Sequence, residues 1–233
     1  MIQIAPQQHS QEITCSYLKE KNACFEFFLA NNVSYEELDS LLEHGWRKFG
    51  IYYFRPDCSG CLCCIPIRIQ AKNFKPSKSQ KRVLKKKNEI TLRTGPLQFK
   101  KEIFDIYRTH SKNRFQRDAD DIDEFYHSFY QQSCPAMQSE YYIGDTLVAI
   151  GFLDQSSNSL SSVYFAYDTA YEDYNLGTLS VIMETELAAK LGLDYYYLGY
   201  IVNENHSMAY KGSFYPHETY DWSVREWTVM QKD

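Results

Sequence analysis

The chain is short of glycine and has no long apolar run. Only 10 of its 233 residues are Gly, which argues against a glycine-rich dinucleotide-binding fold. No apolar stretch approaches the ~20 residues that a membrane helix needs. Residues Met1 to Ser10 carry neither the basic nor the apolar segment of a secretory signal. There is no Gly-x-Ser-x-Gly elbow and no catalytic Cys motif, so covalent catalysis by a triad is not expected. The six histidines have no ligand-like spacing. These absences leave a globular, cytoplasmic protein that does not engage a membrane.

What is present is uneven. Hydrophobic residues make up 44% and charged residues 24%, enough for a sizeable core. Four of the seven cysteines, Cys58, Cys61, Cys63 and Cys64, crowd into seven residues, with Cys15, Cys24 and Cys134 elsewhere. Without an export signal, reduced thiols or a metal are better defaults than disulfides. Cys58-x-x-Cys61-x-Cys63-Cys64 supplies one knuckle of a tetrahedral zinc pattern, with Cys58, Cys61 and Cys64 as candidate ligands and Cys15 or Cys24 to complete it. With one knuckle visible, reduced structural thiols are the preferred reading and no cofactor is expected to be required.

The net charge of −5 conceals a strong asymmetry. Between Pro66 and Lys101 there are twelve Lys or Arg against one acid, Glu89, leaving thirteen basic and twenty-nine acidic residues elsewhere. A basic belt on an acidic protein suits a polyanion held at one place. Lys72, Lys75, Lys78, Lys81, Lys85, Lys86 and Lys87 are the candidate contacts to a nucleic acid backbone; an ordinary solvated face is the plainer alternative.

Ser34-Tyr-Glu-Glu37 is a capping box. Leu38, Leu41, Leu42, Trp46 and Phe49 continue on one helical face, which predicts a helix that Gly50 ends. Strands follow at Ile51–Phe54 and Pro66–Ile69. The break at Thr94-Gly95-Pro96 suggests two domains, 1–95 and 96–233. The second opens with two helices, then a hairpin turning at Gly144-Asp145, a strand to Tyr167, a helix from Leu176 stopped by Gly192, and a strand at Tyr195–Tyr200. That order is the one of an N-acetyltransferase-like domain, so the fold class is α+β, a cysteine-containing domain followed by an N-acetyltransferase-like one. The loop Asp173–Thr178 keeps only Gly177, too little for the usual coenzyme A pyrophosphate cradle.

Several blocks then become recognisable. They are Cys15-Ser-Tyr-Leu18; Tyr53-Phe-Arg-Pro-Asp-Cys-Ser-Gly-Cys61 through Ile65-Pro-Ile-Arg-Ile69; Phe74-Lys-Pro-Ser-Lys-Ser-Gln-Lys-Arg82; Ser162-Val-Tyr-Phe165; Leu176-Gly-Thr178; Glu186–Gly192; Tyr197-Leu-Gly-Tyr200; and Met208–Lys211 with Phe214-Tyr-Pro216. In this order they resemble the bacterial aspartate/glutamate leucyltransferases, aminoacyl-tRNA–protein transferases related to the eukaryotic arginyl enzymes. The resemblance implies transfer of leucine from Leu-tRNA to the α-amine of proteins beginning with Asp or Glu, marking them for degradation. The chain departs from the family pattern at Ile201–His206 and at Lys211-Gly-Ser-Phe-Tyr-Pro216, in a substrate-facing loop. It also has Leu18 where eukaryotic relatives complete a Cys-x-x-Cys pair, which counts against their iron–sulfur cluster.

Such a reaction is aminolysis of an ester. An α-amine of pKa about 7.7–8.0 is partly free base at neutral pH, so positioning and oxyanion stabilisation suffice. The acceptor carboxylate calls for a fork of donors, and Arg55, Arg68 and Arg82 lie in the matching blocks, with Arg55 preferred. Asp168, Tyr167 and Lys211 are the catalytic candidates: a proton acceptor, an oxyanion donor and a polarising cation. Tyr164, Tyr200 and Tyr210 are candidates to stack on the terminal adenine or to donate to the oxyanion. Three alternatives remain: arginyl transfer by the same family, a coenzyme A-dependent acetyltransferase, and a zinc-stapled RNA-binding module.

Overall fold

The computed structural model describes residues 1–231. The N-terminal part contains β1 (Ile2–His9), β2 (Ile13–Thr14), β3 (Asn22–Ala23), β4 (Phe25–Asn31), α1 (Tyr35–Glu43), β5 (Arg47–Phe49) and β6 (Tyr52–Pro56). Next come β7 (Ile65–Gln70), α2 (Lys78–Leu84), β8 (Ile90–Gly95), α3 (Lys101–Phe115) and α4 (Ile122–Phe129). The chain continues with β9 (Ala136–Ile143), β10 (Thr146–Gln155), β11 (Ser159–Tyr167), α5 (Leu176–Lys190), β12 (Tyr195–Ile201), α6 (His206–Ala209), β13 (His217–Asp221) and β14 (Glu226–Met230). Among the described residues no helix is long and apolar enough to cross a membrane.

Two sheets dominate. A four-stranded sheet runs β1-β4-β6-β5, and an eight-stranded one runs β14-β13-β7-β12-β11-β10-β9-β8. Both β7 and β8 precede Pro96, so the break at 94–96 ends a strand of the large sheet and does not separate two sheets. β7 lies antiparallel to both β12 and β13, pairing Arg68 with Tyr197 on one side and with Glu218 on the other.

Ser34 caps α1 as its capping box predicts, but the helix stops at Glu43. Gly45 turns the chain at φ +79°, and a side chain there would strike Trp222, 2.5 Å from its ring. Arg47–Phe49 is therefore a strand, and Gly50, at φ +53°, makes the turn into β6. The apolar spacing that suggested a continued helix belongs to two elements.

α5 is buried on nearly every side, including Glu184 at 1% exposure. That carboxylate accepts from Ser139 Oγ at 2.6 Å, from Tyr141 Oη at 2.8 Å and from the Tyr196 hydroxyl. Three donors offset its desolvation, although burial still raises its pKa. Gly151 admits the group: a Cβ there would stand 2.5 Å from Glu184 Oε1.

β11 and β12 position the site. They pair in parallel only from Ser159 with Tyr195 to Ser161 with Tyr197, yet run on to Tyr167 and Ile201. Beyond Ser161 they part. β12 also shifts register against β7 between Tyr197 and Gly199, where Gly199 adopts φ +83°.

Candidate active site

The gap between the diverging strands is the floor of a cleft of about 2200 Å³, whose other wall includes the N-terminal sheet. Arg47 enters it from β5. Its Nη1 donates to Ser161 Oγ at 2.8 Å and its Nη2 to the Ser162 carbonyl. Lys211, just after α6, donates from Nζ to the Tyr200 carbonyl at 2.8 Å. Each cation thus satisfies a backbone carbonyl beside the opening.

Among the described residues neither is paired with an acid. Arg47 is only 9% exposed, and the nearby Asp154 is taken by Lys48 at 3.1 Å. Burial, then the charge of Arg47, hold the Lys211 ammonium down at about 7. Around them the floor is lined by Ser162, Val163, Tyr164, Tyr196, Leu198 and Tyr200, while the carboxylates of the lining, Glu26, Asp57, Glu172 and Asp173, come from other segments. A cleft floor with two largely buried cations that no acid neutralises is suited to receive an anion.

The remaining sequence candidates divide by location. Tyr164, Tyr167, Tyr200 and Tyr210 all line the cleft. Tyr200 donates to the Gly45 carbonyl at 2.8 Å, and burial raises its pKa strongly. Asp168 lies outside the cleft lining: its Oδ1 accepts from the Ala170 N–H at 3.0 Å and caps a 3₁₀ turn, Thr169–Tyr174. Arg55 lines the cleft but is engaged, with Nε 2.6 Å from Glu26, Nη1 donating to the His44 carbonyl, and its guanidinium over Trp46. Arg68 is elsewhere. It is clamped between Tyr195 and Trp227 and bonded to Glu218 at 2.6 Å and to Tyr197 Oη at 2.8 Å, a buried structural ion pair. Arg82 is exposed on α2, outside the cleft lining.

The belt wraps the outside of α5. Lys75, Lys78, Lys81 and Lys85 are exposed and form no ion pair among the described residues. Lys72 is tied to Asp194 at 2.6 Å, and Lys87 to Glu186. Lys86 donates to the Asp173 carbonyl, and Asp173 lines the cleft. The belt therefore meets the cleft at its rim.

Cys15, Cys58, Cys61, Cys63 and Cys64 line the cleft without forming a ligand set among the described residues. Cys58 donates to the Cys24 carbonyl at 3.4 Å, Cys15 accepts from the Leu18 N–H at 3.4 Å, and Lys21 Nζ stands 3.7 Å from Cys61 and 3.5 Å from Cys63. Burial lifts the Cys64 thiol to about 12. Among the described residues no three His, Cys, Asp or Glu converge as metal ligands. No chemical step is assigned to a metal or cluster here.

Comparison with known proteins accounts for both halves of this arrangement. The family described as arginine-tRNA-protein transferase, C terminus, matches residues 102–221, and its N-terminus counterpart matches residues 13–82. The chain belongs to this family. The aspartate/glutamate leucyltransferase of Thiobacillus denitrificans is 32% identical over 206 residues, 87% of this chain and 86% of that one. The enzyme of the same name from Helicobacter hepaticus is 32% identical over 218 residues, covering 90% of each. Among solved structures, FemX aligns with 84% of this chain and 66% of its own at a TM-score of 0.50 and 10% identity, a likeness of fold alone. The chain is thus an aminoacyl-tRNA–protein transferase, with an aminoacyl-tRNA donor and protein acceptors. Neither a coenzyme A-dependent acetyltransferase nor a bare RNA-binding module accounts for both matches.

Arg47 is the residue that reading the sequence missed. It was hidden in the apolar spacing of a helix that Gly45 in fact terminates. The one local signal was that glycine, four residues ahead of Phe49.

Proposed function

We propose that the protein transfers leucine from Leu-tRNA to the α-amine of proteins whose first residue is Asp or Glu. The observation that carries this reading is the floor between β11 and β12, with two cations, Arg47 and Lys211, that form no ion pair among the described residues. An Asp or Glu side chain finds a guanidinium and an ammonium there. An arginyl donor would meet like charge at this floor, whereas a leucyl side chain meets Leu198, Val163 and tyrosine rings. Arg47 and Lys211 take the place first assigned to Arg55, Arg68 and Arg82, all of which are engaged or lie off the floor.

With the carboxylate held, the acceptor amine is brought against the leucyl ester carbonyl. The amine nitrogen bonds to that carbon, the C–O bond to the tRNA ribose breaks, and the ribose oxygen leaves with a proton. Tyr167 and Tyr210 stand at the cleft as hydroxyl donors to the developing oxyanion. The exposed lysines of the belt hold the phosphates of the donor tRNA.

The test is incubation of the protein with labelled Leu-tRNA, Arg-tRNA or acetyl-CoA and peptides that begin with Asp, Glu, Asn or Ala. Label from Leu-tRNA on the Asp and Glu peptides is the expected result. Label from Arg-tRNA alone would overturn the leucyl assignment; the description of the matching family makes that the second reading.

A further inference from the structure

The wall of the cleft formed by the end of α3 has an architecture that the reaction as described leaves unused. Phe115, the last residue of α3, is 58% exposed and meets His110 edge-on at 5.5 Å between ring centroids. His110 packs in turn against Tyr167 at 4.7 Å and Tyr164 at 6.3 Å, and all four rings line the cleft. His110 is 4% exposed, and its Nδ1 has no hydrogen-bond partner. Burial, then the neighbouring Arg114, keep its pKa at about 4, so the imidazole is neutral at working pH.

Two cations stand beside these rings. Arg117 is tied to Glu124 at 3.0 Å, while Arg114 lines the cleft without an ion-pair partner among the described residues. The helix end is also fixed to the basic belt. Asn113 donates to Thr169 Oγ1 at 2.7 Å, at the start of the 3₁₀ turn whose Asp173 carbonyl accepts from Lys86. A line of contacts thus leads from the basic belt, through the turn that carries the exposed Glu172 and Asp173, to the end of α3 with Arg114 and Phe115.

We propose that Phe115 and Arg114 are the docking platform for the single-stranded 3′ end of the donor tRNA, with Phe115 stacking on the terminal adenine and Arg114 pairing with a phosphate of that end. The assignment rests on the reading of aminoacyl-tRNA as donor. A half-exposed ring beside an unpaired guanidinium suits a base and its phosphate; a leucyl side chain prefers an enclosed aliphatic pocket. The stack would also set the ester's distance from the floor, because β11 carries Tyr167 and Tyr164 from the platform down towards Ser162.

The experiment compares binding of uncharged leucine-accepting tRNA with the same tRNA lacking its terminal adenosine. Phe115→Ala should weaken binding of the intact tRNA about fivefold or more and leave the truncated one unchanged. Phe115→Trp should retain the wild-type affinity for both. Arg114→Ala should lower the salt slope of binding by about 0.7, the single-strand value for one phosphate. Equal weakening on both tRNAs, or no change on either, would overturn the platform. So would a defect confined to leucylated tRNA, which would place the amino acid there instead. No tRNA binding by the unaltered protein would overturn the donor reading itself.

Discussion

Arg47 and Lys211 meet over Gly199. They are separated by most of the chain, yet a Cβ built on Gly199 would lie 3.8 Å from the Arg47 guanidinium and 3.9 Å from Lys211 Nζ. The left-handed glycine, the parting of β11 from β12 and the end of α1 at Gly45 all converge on that contact. An acidic acceptor placed there would relieve the repulsion that the empty pair carries.

Proton uptake is the first consequence. Lys211 titrates at about 7 in the free protein, and a bound carboxylate favours its charged form. Above pH ~7, binding of an Asp-initiated peptide should therefore take up protons, detectable as a buffer-dependent binding enthalpy. Lys211→Met should abolish the uptake; an unchanged uptake in that variant would contradict the assignment.

Stability should follow the same lysine. Its folded pKa of about 7 lies below the ordinary 10.5, so the unfolded chain holds the proton more tightly. The penalty is full below pH ~7 and disappears as pH rises towards ~10.5, so stability rises across that window. Denaturant titrations of wild type and Lys211→Met should show the rise in the former only.

The belt sets a salt dependence. Lys78, Lys81 and Lys85 are exposed on and just after α2. Replacing all three with Ala should weaken tRNA binding and flatten the slope of log K against log salt by about 2–3. A slope equal to that of wild type would place the tRNA backbone elsewhere.

Gly151→Ala tests the buried carboxylate. The added methyl would overlap Ser139 Oγ and crowd Glu184. A loss of about 1–3 kcal/mol of stability is expected, read from denaturant unfolding.

Arg68→Ala should instead behave as a structural lesion. It strips the buried Glu218 of its cation, at a cost of about 3–5 kcal/mol. The fraction that remains folded should keep its preference for acidic acceptors.

Features governed by neighbouring residues were legible in the sequence. Ser34 and Glu37 cap α1 through bonds within one turn, Gly144 turns the β9–β10 hairpin, and Gly192 follows the end of α5 at φ +81°. What was hidden depends on partners far along the chain. Trp222 is what presses on Gly45, and Glu218 is what occupies Arg68. β13 and β14 were not anticipated, because β13 is held beside β7 by pairing across some 150 residues. The cation at the floor was missed for the same reason: Arg47 acquires its role only when β11 and β12 part above it.

The most direct test measures leucine transfer from Leu-tRNA to a peptide beginning with Asp and to its Asn-initiated twin, in wild type and in Arg47→Met, with tRNA affinity followed alongside. Wild type should strongly prefer Asp, and Arg47→Met should lose that preference while binding tRNA as before. Equal transfer to both peptides by wild type, or an undiminished Asp preference in Arg47→Met, would contradict the account.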